Sequence, residues 1–317
     1  MLSIGDVRAA AVRLEGLVER TPVVTNRGLN ALAGAEVFLK AECLQVTGSF
    51  KFRGASNAVA QLSLEERHGG LITYSSGNHA QAVAAAAKAA GASALVVMPD
   101  DAPLEKVAAV DALGARIVRY DRYRENRVAI AEALADFEGR AMIPPYDHEA
   151  VMAGQGTVAL ELLDDHPDLD ALFVPVGGGG LLAGCATVAH ARASGIKVYG
   201  VEPEAGDDHR RSRRAGKRVD VGVPVTIADG QQVSTPGRLT WPITNKLTTQ
   251  FVTVTDDQIT AAMAALFERT NLLVEPSGAS ALAAVLSAAA PVAGLRVGVV
   301  LSGGNIGWPR FRELTGR

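Results

Sequence analysis

The sequence predicts an α/β protein with largely parallel sheets, and three observations lead there. Short apolar, β-type runs alternate with helical stretches along the whole chain, the pattern of strands linked by helical crossovers. The glycine-bearing segments 75–79, 177–180 and 302–305 each follow such a run, so ligands are expected at the carboxyl ends of strands. With 317 residues, 48% hydrophobic and 21% charged, the chain is long and apolar enough for one large or two modest domains with a sizeable core.

The elements follow in order. Residues 3–19 alternate apolar and polar at helical spacing, with Ser3 as N-cap and Thr21-Pro22 as the stop. A strand is expected at 35–42, then a loop carrying Lys51 and a helix over 52–62. Strand 71–74 leads into an alanine-rich helix from Asn78 or His79 to about Gly91. Strand 94–98 ends at Pro99, a helix precedes Gly114, strand 116–120 follows, and 124–137 is helical. Then come helix 153–163, strand 171–176, helix 181–193 and strand 197–202. Strand 251–254, helices 256–270 and 277–288 and strand 296–301 close the pattern. No internal repeat of fixed period is present.

Composition narrows the function. A net charge of −3 implies no polyanionic partner, and the basic run 209–218 lacks the interleaved aromatics of a nucleic-acid surface, so it reads as a solvated segment. Two cysteines, Cys43 and Cys185, make neither a disulfide framework nor a thiolate metal cage, which fits a reducing cytosol. The first residues lack the basic-then-apolar pattern of a signal peptide, and no apolar run is long enough to span a membrane.

Chemistry concentrates at Lys51, which lies between Phe50 and Phe52 with Gly48 and Gly54 close by. An ammonium held among apolar side chains loses hydration, its pKa falls, and a nucleophilic amine results, as a Schiff-base lysine requires. Gly177, Gly178, Gly179 and Gly180 join a strand to the helix that opens near Leu181. Their backbone N–H groups, with that helix N-terminus, form a cup for a phosphate. No Lys-Ser/Thr pair follows, which counts against a nucleotide P-loop. Ser75-Ser76-Gly77-Asn78-His79 offers hydroxyls, an amide and N–H groups suited to a carboxylate. Glu202, Asp207 and Asp208 gather oxygen donors just after a strand, as a hard cation needs.

These stretches, with Thr21-Pro22, Ala153-Gly-Gln-Gly-Thr157, Val201-Glu-Pro203, Ile227-Ala-Asp-Gly230, Glu275-Pro-Ser277 and Ser302-Gly-Gly-Asn305, resemble the fold-type II pyridoxal-phosphate enzymes. Within them the chain resembles the serine/threonine dehydratase and serine racemase branch, over nearly its whole length. The resemblance implies two open, largely parallel twisted sheets with flanking helices, as in tryptophan synthase β. A small domain, 63–149, would be inserted into a large one, 1–62 and 150–317, with the active site between them. It assigns the cofactor pyridoxal phosphate to Lys51, its phosphate to Gly177–Gly180 and Leu181, its ring to Phe50 and Asn78, and its pyridine nitrogen to Ser302. A neutral hydroxyl there makes the ring a weaker electron sink and favours loss of a β-leaving group.

The substrate carboxylate falls to Ser75, Ser76, Asn78 and His79. Ser76 stands where serine racemases carry a serine facing the lysine across the cofactor. Arg127 stands where they carry an arginine lining the pocket, and a guanidinium there suits a second carboxylate. Tyr146, where threonine dehydratases often have Phe, is expected to limit the pocket. A divalent cation, Mg²⁺ before Ca²⁺ or Mn²⁺, is implied at Glu202, the Gly206 carbonyl and Asp208.

The implied activity is β-elimination from a 3-hydroxy amino acid such as L-threonine or L-serine to a 2-oxo acid and ammonia. The alternatives are a 3-hydroxyaspartate ammonia-lyase and a serine racemase. β-Replacement is less favoured, because its pocket loop usually reads Thr-Ser-Gly-Asn-Thr-Gly. A non-catalytic phosphate- or nucleotide-binding protein is the rival of another class. The resemblance also implies a homodimer, and the cysteine usage a cytoplasmic setting. The short stretch after Ser302 leads to the expectation of a catabolic or unregulated enzyme without an appended regulatory domain.

Overall fold

The computed structural model describes residues 1–102, 104–192 and 195–317. Helix α1 (Ile4–Leu14), β1 (Val23–Val24), α2 (Arg27–Ala33) and β2 (Glu36–Ala41) open the chain. Then come α3 (Lys51–Ala60), α4 (Leu64–Gly69), β3 (Leu71–Tyr74), α5 (Asn78–Ala89), β4 (Ala94–Pro99) and α6 (Leu104–Ala112). β5 (Arg116–Tyr120), α7 (Arg127–Glu138) and β6 (Ala141–Met142) complete this half. The second half holds α8 (Glu149–Asp165), β7 (Ala171–Pro175), α9 (Gly180–Arg192), β8 (Lys197–Pro203), α10 (Asp208–Ala215) and α11 (Thr240–Leu247). It ends with β9 (Gln250–Val254), α12 (Asp256–Thr270), α13 (Pro276–Leu286), β10 (Arg296–Leu301) and α14 (Trp308–Thr315).

Six strands form one sheet in the order β1-β2-β10-β7-β8-β9, and four form another in the order β5-β4-β3-β6. Every pairing is parallel except β1 with β2. Each sheet is covered by apolar side chains on both faces. Leu39, Phe173 and Val299 belong to one layer of the large sheet, and Phe38, Leu172 and Val300 to the other. Val96 and Met98 on one face of the small sheet, with Leu95 and Val97 on the other, repeat that arrangement. Two buried faces explain why these strands read as continuous apolar runs.

Local signals set several boundaries. Ser3 and Asp6 form a reciprocal capping box that starts α1, and Thr255 and Gln258 do the same for α12. α1 stops at Leu14 rather than near residue 19, because Gly16 adopts a positive φ of 73°. α7 starts at Arg127, not at residue 124: the Asn126 side chain accepts the N–H groups of Val128 and Ala129 and fixes the N-terminus there. α8 begins at Glu149, a turn earlier than expected, and α3 begins at Lys51 itself. The expected end of the helix at residue 193 lies outside the described residues.

Behind α3 lies a closed cluster of buried charge. The Arg53 guanidinium donates to both Glu42 oxygens, at 2.7 and 2.8 Å, and to both Glu161 oxygens, at 2.6 and 2.9 Å. Lys40 donates to Glu161 Oε2 at 2.6 Å and to the Thr21 carbonyl at 2.6 Å. Lys40, Glu42 and Arg53 are fully buried. Burial pushes the Glu42 carboxyl up, but the charge and hydrogen bonds of Arg53, with Lys40 and Thr21, outweigh it and hold Glu42 below its usual range. The cluster ties β2, α3 and α8 together two residues beyond Lys51.

Candidate active site

Strand ends bring the site together. β3 delivers Ser75–Asn78, β7 delivers Gly177–Gly180, and β10 delivers Ser302. All three segments line one cleft with Phe50, Lys51, His79, Arg127 and Leu181. Lys51 is placed by the β10 loop: Phe50 N–H donates to the Ser302 carbonyl at 3.0 Å, Gly304 N–H to the Gly48 carbonyl at 2.9 Å, and Ser49 bridges Gly303. The Lys51 amine donates to the Pro145 carbonyl at 2.7 Å and lies 5.2 Å from the centre of the Phe50 ring. Burial lowers its pKa to about 8. Phe52, read from the sequence as its second apolar flank, is instead buried in the core with Ala55 and Val59, since residues one step apart on a helix face different ways.

The glycine turn faces this amine. Gly179 has φ 95°, which L side chains rarely adopt, and a Cβ on Gly178 would stand 2.4 Å from the Tyr146 ring. The turn is therefore open to an anion and closed to side chains. Thr240 Oγ1 donates to the Gly178 carbonyl at 2.6 Å, leaving the opposite faces of these peptides to the cleft. Together with the Lys51 amine, these residues fit pyridoxal phosphate: an anion cup, a partly neutral amine, and the Ser302 hydroxyl at the end of β10. When bound, the cofactor withdraws electrons from the carbon that bears the substrate amine.

Asn78 donates to Glu275 Oε1 at 2.6 Å and accepts from Asn305 at 2.9 Å. Burial, then the Asp229 charge, push the Glu275 carboxyl up to about 8 against the pull of Lys106 and Asn78. Lys106 on α6 pairs with Asp229, so an ion pair spans the cleft between the two sheets. His79, expected among the substrate ligands, is nearly fully buried with Nε2 held by the Ile143 carbonyl at 2.9 Å, and burial lowers its pKa to about 3. Its imidazole is committed to the wall of the site. Ser75 Oγ accepts from Gly77 N–H at 3.3 Å. Arg127 stacks over the Tyr74 ring at 5.7 Å and joins no ion pair among the described residues, whereas Arg124 is exposed and paired with Asp121.

Glu202 and Asp208 stand apart from the cleft. The Glu202 oxygens accept the His209 N–H at 2.7 Å and the Arg210 N–H at 3.0 Å, and Asp208 Oδ2 is buried with no partner. Burial pushes both carboxyls up, and for Glu202 the neighbouring Asp208 charge adds to it. Two crowded carboxyls with an orphaned oxygen fit a cation. No group of three His, Cys, Asp or Glu side chains poised for a metal exists among the described residues, so further ligands would be carbonyls, such as that of Gly206, and water.

A family model described as pyridoxal-phosphate dependent enzyme matches residues 14–303, and the chain belongs to that family. It is 48% identical to an L-threo-3-hydroxyaspartate ammonia-lyase of Saccharomyces cerevisiae over 98% of this chain and 95% of that protein. It is 46% identical to another from Pseudomonas sp over 98% of each. Among solved structures, maize serine racemase superposes with a TM-score of 0.93 at 38% identity, covering 98% of this chain and 96% of that one. The family and the two-sheet α/β fold expected from the sequence are thus borne out. No helix among the described residues is long and apolar enough to cross a membrane.

Tyr74, Lys106, Pro145, Asp229 and Glu275 join the cleft without a role expected from the sequence. The signal for Asp229 and Glu275 lies in Ile227-Ala-Asp-Gly230 and Glu275-Pro-Ser277, two stretches that match the family pattern.

Proposed function

We propose that the protein is a pyridoxal-phosphate-dependent ammonia-lyase that dehydrates 3-hydroxyaspartate to oxaloacetate and ammonia. The observation that carries the choice of substrate is Arg127, a guanidinium lining the cleft without an acidic partner among the described residues. The identity to two hydroxyaspartate ammonia-lyases supports it. L-Serine and L-threonine lack the second carboxylate and are the weaker substrates in this reading.

Roles follow from the placements. Lys51 would hold the cofactor, and its amine takes the substrate's α-proton; its lowered pKa keeps a useful fraction of neutral amine near pH 7. Ser75, Ser76 and the N–H groups opening α5 hold the α-carboxylate, and Arg127 holds the β-carboxylate as a charge-assisted pair. Gly177–Gly180 and the N-terminus of α9 hold the phosphate, while Asn78 and Ser302 hold the ring. The β-hydroxyl leaves as water, taking up the proton that Lys51 removed from the α-carbon, and a second water converts the unsaturated amine to the oxo acid and ammonia. Ser76, lining the same cleft, is the proton donor for the second face of the α-carbon, which makes racemisation a side activity. Glu202, the Gly206 carbonyl and Asp208 hold Mg²⁺. Residues 63–149 act as a small domain against 1–62 and 150–317. The free cysteines fit a cytosolic setting, and the assembly is a homodimer.

The test is a panel of the 3-hydroxyaspartate isomers, L-threonine and both serine enantiomers, followed by 2-oxo acid and ammonia release. Arg127→Ala should lower kcat/KM for hydroxyaspartate by about 10- to 150-fold, the worth of one charged hydrogen-bonded contact, and change serine turnover less than about threefold. An equal loss on all substrates would remove Arg127 from the substrate's second carboxylate.

A further inference from the structure

Asp208 and His209 are consecutive on the first turn of α10, and successive residues on a helix point about 100° apart. One faces Glu202, and the other reaches the underside of the glycine turn. A Cβ on Gly179 would lie 3.0 Å from His209 Cε1. The imidazole is fully buried, packed between Trp241 and Phe251 at ring-centroid distances of 5.9 and 5.2 Å. Nδ1 is 3.4 Å from Thr244 Oγ1, whereas Nε2 is buried with no hydrogen-bond partner. An orphaned buried nitrogen costs about 1–3 kcal/mol. Burial lowers the pKa of this ring to about 3, so the imidazole is neutral, and the Gly177 backbone acts against that shift.

We propose that His209 is a positioning residue that couples the cation site to the phosphate cup. Among the described residues, the first turn of α10 is held to Glu202 by two N–H groups, those of His209 and Arg210, beside two crowded carboxyls whose pKa values burial raises. A cation that draws Asp208 and Glu202 together seats that turn. His209 Nε2–H then closes on the Gly177 carbonyl. In a trans peptide the carbonyl and the following N–H point opposite ways, so anchoring the Gly177 oxygen below directs the Gly178 N–H into the cleft, toward the phosphate. The inference rests on Glu202, Gly206 and Asp208 being a cation site.

The experiment uses the holoprotein and reads the rate of cofactor release into a trap, in EDTA and in Mg²⁺, with Mn²⁺ binding followed by electron paramagnetic resonance. In the parent protein, Mg²⁺ should slow release about tenfold, within the usual range of coupling between sites. His209→Leu keeps the bulk and removes the donor; its ratio should fall below about twofold while Mn²⁺ still binds. His209→Gln keeps a donor and should retain most of the ratio. A full ratio in His209→Leu, or equal loss in both variants, overturns the link while leaving the cation site standing. A parent that binds Mn²⁺ without slower release also overturns it. No Mn²⁺ binding in the parent removes the cation site and the link together.

Discussion

Two clusters of buried charge differ in one respect. Around Arg53, two cations face two anions, and the guanidinium donors and carboxylate oxygens pair within the cluster. Around Glu202, two carboxyls face each other, and Asp208 Oδ2 is left without a partner. The first cluster needs nothing from solution and serves as a brace that fixes α3, and so Lys51. The second holds one sign of charge, and in the proposed reading a cation supplies the other. Charge balance, not sequence position, sets the two clusters apart.

The sharpest way to break the comparison is to open the closed cluster. Arg53→Met leaves Glu42 and Glu161 buried without their main partner, and the expected loss of stability is about 3–5 kcal/mol, read by urea or thermal unfolding. A loss below about 1 kcal/mol would mean that the brace is not structural. The next effect has the opposite sign. Asp208→Asn removes one of two repelling carboxyls and should stabilise the protein in EDTA by about 1–2 kcal/mol, while abolishing its stabilisation by Mg²⁺. Destabilisation in EDTA would show that the open pair is satisfied within the chain.

How much of this was legible in the sequence depended on how local the cause is. β3 begins and ends where its apolar run does, between Gly70 and Ser75, and β5 spans the expected 116–120 although Arg116 and Arg119 interrupt its apolar residues. Lys51 and Gly177–Gly180 were legible as local patterns of residue type. β1 and β6 hold two residues each and have no period to read. The basic run 209–218 reads from its sequence as solvated surface, yet most of it lies in α10 (Asp208–Ala215), with His209 and Ser212 buried. Arg213 donates to the carbonyls of Thr244, Asn245 and Thr248 at the end of α11, partners some thirty residues away that a window on the sequence cannot supply. Lys106, Asp229 and Glu275 were invisible as a unit for the same reason, since their chemistry arises only when distant loops meet.

The smallest effect sharpens the comparison most, because the two clusters should respond to pH with opposite signs. Glu42 sits below its usual range, so it contributes stability above pH about 4.5 that is lost as pH falls through its folded-state value. Glu202 and Asp208 sit above theirs, so the folded state holds extra protons, and stability is lost as pH rises from the unfolded values through the raised ones. The gain from Asp208→Asn in EDTA should therefore grow by about 1 kcal/mol between pH 5.5 and pH 7.5, as the parent is forced to ionise the pair. Saturating Mg²⁺ holds both carboxylates charged and should remove their share of the parent's slope, leaving the shares of other groups: Glu42 on the acid side, and Glu275, whose carboxyl is pushed up to about 8. A parent slope that Mg²⁺ leaves unchanged, or a gain that does not change with pH, would mean that the two carboxyls are not the cation's ligands, and the contrast between a closed and an open cluster would fall.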